Sequence, residues 1–158
     1  MTDEMKKEYT LRISQSSRTE IIVILYELAI GYLKDAEKCF DVSDREGARR
    51  ECVNCTRVFG DLIGALDFSY ELAFPLYRIY EYLSKEVSAA IICNDAKRLS
   101  APIRLMESLK EAFVKLSESD LTGPVMGNSQ MVYSGLTYGK GSLNEDMLYD
   151  NKNRGFTV

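Results

Sequence analysis

The strongest constraint on this chain is the stretch from Ser17 to Leu116, where apolar residues recur at helical spacing and pause only where turn chemistry also occurs. Ser17 followed by Glu20 is a capping box. The hydroxyl and the carboxylate each satisfy a backbone N–H that the first helical turn leaves free, so a helix is predicted to begin there. Ile21, Leu25, Leu28, Tyr32, Leu33, Ala36 and Phe40 follow as one buried stripe. The segment 41–47 carries breakers and two N-cap candidates, Ser43 and Asp44. After it, Ala48, Cys52, Cys55, Phe59, Leu62 and Leu66 repeat the spacing in a second helix.

A break at 67–70 precedes a third periodic segment with Leu72, Leu76, Tyr80, Leu83, Val87 and Ile91 on one side. Pro75 requires this helix to start near Ala73 or to bend, because a proline beyond the first turn loses a backbone bond and clashes. Asn94 and Asp95 are cap candidates for a fourth segment carrying Leu99, Ile103, Met106, Leu109 and Phe113, with Pro102 predicting a kink near Arg98. Sustained period-2 alternation is missing, which argues against strands. Helices joined by a few residues are antiparallel neighbours by default. The expected fold is all-α, an antiparallel up-and-down four-helix bundle preceded by a short N-terminal cap segment and followed by a Gly/Tyr-rich C-terminal extension. The expected boundary puts the bundle at 1–117 and the extension at 118–158.

At 158 residues and 46% hydrophobic, the chain can bury a core without disulfides or metal. It contains no His, so imidazole-dependent nucleophile pairs, His-ligated zinc and Glu-x-x-His di-iron sites have no place here. A net charge of −4 gives no footprint for nucleic acid. The run Ile21 to Leu25 is far too short to span a bilayer, so membrane insertion is not expected. Four cysteines at low density fit a reducing compartment, and the expected location is cytoplasmic.

The Cys52-Val53-Asn54-Cys55 spacing falls mid-helix on the apolar face, where thiols are buried small hydrophobes rather than a redox pair or metal ligands. Helix carboxylates mostly stand near a Lys or Arg, as Glu81 does with Lys85, and no Walker-type or dinucleotide glycine motif is present. Neither a catalytic set nor a bound cofactor or metal is expected.

Two features remain in surplus. Tyr70, Phe74, Tyr77, Tyr80 and Tyr82 lie so close together that one buried stripe cannot absorb them all, and tyrosine suits binding surfaces. Beyond Leu116, six of the ten Gly alternate with sticky residues such as Met131, Val132, Tyr133, Leu136 and Tyr138, which reads either as an unstructured extension or as a docked arm.

In order along the chain, Tyr9, Ile13, Ser16-Ser17-Arg18 and Ile24-Leu25-Tyr26-Glu27-Leu28-Ala29 are followed by Leu66-Asp67 and by Ile79-Tyr80-Glu81-Tyr82-Leu83. Asp95, Leu99 and Lys110-Glu111-Ala112-Phe113 complete the pattern. This series resembles the flagellar export chaperones that bind flagellin (FliS), with Arg18, Leu28, Pro75 and Phe113 departing from the residues usual there. The resemblance implies a cytoplasmic chaperone that holds the C-terminal segment of flagellin, prevents premature polymerisation and presents its client to a flagellar export gate component. For such a role Tyr80, Tyr82 and Leu83 are the residues expected to contact or support the client surface and Tyr26 to pack beneath it, while Tyr9 and Ile13, two apolar residues in an otherwise polar arm, are expected to cap the groove. The alternative is a dimeric helical-bundle adaptor for a different client, a homodimer through the C-terminal extension with residues 131–138 exchanged between subunits.

Overall fold

The computed structural model describes residues 3–119 and 123–125, with side chains from Lys7 onward, and every regular element among them is helical. In chain order these are α1 (Asp3–Gln15), α2 (Arg18–Asp41), α3 (Arg45–Gly64), α4 (Ala73–Cys93), a 3-10 turn (Ala96–Leu99) and α5 (Ser100–Glu118). Of the expected extension 118–158, only Glu118, Ser119 and residues 123–125 are described, so the segment Met131 to Tyr138 lies outside the described residues.

The capping box forms as its spacing requires. Ser17 N–H donates to Glu20 Oε2 at 2.7 Å and Glu20 N–H donates to Ser17 Oγ at 3.3 Å, fixing the start of α2. Of the two cap candidates before α3, Asp44 takes the role, accepting from Gly47 N–H at 2.9 Å, while Ser43 makes the turn with a φ of 60°. That closure explains Gly47. A Cβ there would run into the Asp44 carboxylate that caps the helix and into Cys39 Sγ.

The prolines act differently from expectation in one place. Pro75 is the third residue of α4, which begins at Ala73, and no bend is needed. Pro102 is likewise the third residue of α5, and in place of a kink Arg98 lies in a 3-10 turn that leads directly into α5. Asn94 closes α4 in the left-handed region (φ 51°), Asp95 caps the short 3-10 turn through Lys97 N–H at 3.0 Å, and that turn continues into α5 at Ser100. The first N–H groups of a helix have no carbonyl partner within it, so a proline among them forfeits nothing.

A second difference lies at the N-terminus. The segment before Ser17, expected as a polar arm, is a helix. Its two apolar anchors, Tyr9 and Ile13, are four residues apart and therefore share a face, too few to register as a periodic stripe but enough to seat a helix on a neighbour.

α2 packs against α3 along one side and α5 along the other, α3 packs against α4, and α1 lies on α2. One hydrophobic core joins them, built around Leu33, Phe59, Leu62, Leu83, Leu99 and Met106 together with Tyr26 and Tyr80. Among the described residues, those of the core come from α2, α3, α4, the 3-10 turn and α5, and none of them from α1.

Candidate functional site

α1 and the α2–α3 pair enclose a cleft. Tyr9, Thr10 and Ile13 form one wall, Leu25, Leu28 and Tyr32 of α2 with Val58 of α3 form the floor, and Asn54, Arg57 and Asp61 close the polar edge. The floor residues other than Val58 are only half-buried even with α1 in place. Arg12 reaches Glu27 of α2 at 2.8 Å, and its guanidinium lies over the Tyr9 ring, 5.5 Å from the centroid. The ion pair is partly exposed, where such pairs contribute about 1 kcal/mol or less. Burial and the Glu27 carboxylate push the Tyr9 phenol above its usual pKa while Arg12 pulls it back, so its hydroxyl stays neutral at physiological pH.

Tyr26 and Tyr80 are both buried, and their hydroxyls share a hydrogen bond of 2.6 Å that ties α2 to α4. The Tyr26 ring also meets Phe113 of α5 edge-on at 5.3 Å. Burial drives both phenols upward in pKa, with their mutual contact a secondary influence, so neither is an acid or base for chemistry. Leu83 is wholly buried. It and Tyr26 are both enclosed in the core. Tyr82 stands exposed on α4, away from the cleft beneath α1.

Tyr80 also reaches a second cleft, of about 530 Å³, at the end of the molecule where α2 and α4 begin and α3 and α5 finish. Ile22, Leu66, Leu72, Leu76, Phe113 and Leu116 line it, with Arg18 and Asp67 at its rim. Beside it an aromatic ridge crosses the α3–α4 turn, with Phe68 packed against Phe74 at 5.2 Å and Tyr77 at 6.2 Å between ring centroids. The aromatic excess near the third helix was visible in the sequence. Its gathering with Phe68 into one ridge was not, because turns are ordinarily polar.

Cys52 and Cys55 are buried on the inner face of α3, as their register requires. Burial raises the Cys52 thiol to about 11 and raises that of Cys55 as well, and Cys55 donates to the Ala29 carbonyl at 3.7 Å. Neither is a thiolate at neutral pH. Among the described residues no three His, Cys, Asp or Glu side chains gather in a way that would hold a metal ion, and no helix is long and apolar enough to cross a membrane.

No curated protein matches the chain. A family model described as flagellar protein FliS matches residues 1–120, which takes in all five helices and both clefts. With helices alone among the described residues and the match covering 120 of 158 positions, the chain belongs to the FliS family of flagellar export chaperones.

Proposed function

We propose that this protein is a cytoplasmic chaperone of flagellar type III export that holds the C-terminal segment of flagellin, with α1 acting as a displaceable cover over the site. The observation that carries the reading is that α1 lies on α2 and walls an apolar cleft floored by α2 and α3, yet none of its described residues belongs to the core. A helix anchored by Tyr9 and Ile13 occupies the place that an amphipathic client helix would need, with anchors at the same i, i+4 spacing. The floor does not depend on the cover, so exchange of one helix for another leaves the up-and-down four-helix bundle standing. Flagellin's terminal segments are disordered before assembly, and coupled folding on such a surface gives binding that can be released at the export gate. Tyr26, Tyr80 and Leu83 hold the core on which α2 stands, and Tyr82 is exposed on α4 for any contact the client makes beyond the cleft. No catalytic step enters this account.

The test uses the double variant Tyr9→Ala/Ile13→Ala. Removing the anchors increases the open fraction, so affinity for full-length flagellin rises by roughly threefold to tenfold. Flagellin lacking its C-terminal segment binds neither protein, and filament growth is suppressed only when the segment is present. Equal binding of both flagellins overturns the reading in favour of an adaptor for another client. Unchanged affinity in the double variant removes the cover.

A further inference from the structure

One peptide unit, the Ser16 carbonyl with the Ser17 N–H, joins α1 to α2, and both of its polar groups are held. On the amide side Ser17 N–H donates to Glu20 Oε2 at 2.7 Å. On the other side the Ser16 carbonyl accepts from Val125 N–H at 3.1 Å, a bond from the α1–α2 joint to a residue beyond the end of α5. Ser16 and Ser17 are both buried, where a backbone polar group needs a partner. The end of α5 lies beside this joint, since Ser117 lines a small cleft with Arg12 and Gln15 of α1 and Val23 and Ile24 of α2. Pro124 precedes Val125, and its ring fixes a backbone angle next to the donor, which lowers the cost of holding that donor in place.

A peptide unit is planar, so holding its two edges fixes its orientation on the body of the molecule. α1 can then swing only about the two backbone bonds of Ser16. Those are restrained in turn, because Ser16 N–H donates to the Ile13 carbonyl at 3.3 Å and Ser16 Oγ donates to the Arg12 carbonyl at 2.6 Å. Loss of the Val125 bond frees one edge of the plane, which can then tilt with α1. The Val125 side chain is half exposed, so the hold comes from its backbone donor rather than from buried apolar area.

We propose that Val125 is a latch on the hinge of α1, so that the segment 123–125 sets how often the cleft beneath α1 opens. The latch rests on the reading of α1 as a displaceable cover, but its own test needs no client. In the full-length chain Val125→Pro removes the donor and Val125→Ala keeps it. Hydrogen exchange of the free protein is expected to quicken about threefold to tenfold at the α1 amides in Val125→Pro, a factor that matches one hydrogen bond, and to stay at the wild-type rate in Val125→Ala. Amides of α2 to α5 are expected to keep their rates in both variants. Unchanged α1 exchange in Val125→Pro overturns the latch. So does an equal rise in both variants, which traces the effect to the side chain, or a rise across all the helices, which makes it a loss of overall stability. Flagellin then separates the latch from the cover. Where both hold, Val125→Pro binds full-length flagellin more tightly by the same factor. Faster α1 exchange with unchanged flagellin affinity upholds the latch and overturns the cover.

Discussion

Tyr26 and Tyr80 show what a single pair of atoms contributes when both are withdrawn from water. Their hydroxyls, 2.6 Å apart, are each other's partner in the core, so removing one leaves the other buried and unsatisfied. Tyr80→Phe is expected to cost about 1–3 kcal/mol in urea denaturation, and Tyr26→Phe/Tyr80→Phe to recover most of that loss. The pH dependence has a definite sign. Both phenols lie above their ordinary value of 10.0 in the folded state, so their contribution is intact below pH 10 and declines as pH rises beyond it, when unfolded phenols ionise first. The double Phe variant flattens that alkaline decline. The register of Tyr80 was legible in the sequence, since it falls on an apolar stripe, whereas Tyr26 was singled out only through the family resemblance. Their partnership was not, because 54 positions separate them and no local rule links two inward-facing residues on different helices.

Helix boundaries were legible wherever the local chemistry is self-contained. The capping box at Ser17 and Glu20, the Asp44 cap and the start of α4 at Ala73 each follow from a few adjacent residues. The passage into α5 was harder to read, because Asn94 and Asp95 do two jobs in succession, closing one helix and opening a 3-10 turn. α1 was legible only as two apolar residues among charges, since its helix depends on what α2 and α3 present to it. Pro75→Ala tests the account of the prolines. Pro75 is exposed in a first turn, so the substitution should lower stability by at most about 1 kcal/mol, through a less restricted unfolded chain. A proline that broke an internal backbone bond would give the opposite result, a gain of about 3 kcal/mol when removed.

At the scale of the molecule, α2 is the element the others are built on, shared by the core, by the cleft beneath α1 and by the end cleft. Deleting residues 1–14 is expected to reduce the far-UV helical signal by one helix and to shift the unfolding free energy by about 1 kcal/mol or less. A large loss would mean that α1 belongs to the core after all. The candidate surface was partly legible, in that Tyr9 and Ile13 stood out as apolar residues in a charged segment and the aromatic surplus by its density. Which tyrosines face in and which face out required the packing of α3 and α5 around α4, which no single helix encodes. The separation of α1 from the core has an evolutionary consequence. If α1 is the cover proposed above, substitutions along the Tyr9 and Ile13 face adjust how firmly the cleft is closed while leaving the described core untouched, so selection can tune affinity and robustness on two different sets of positions.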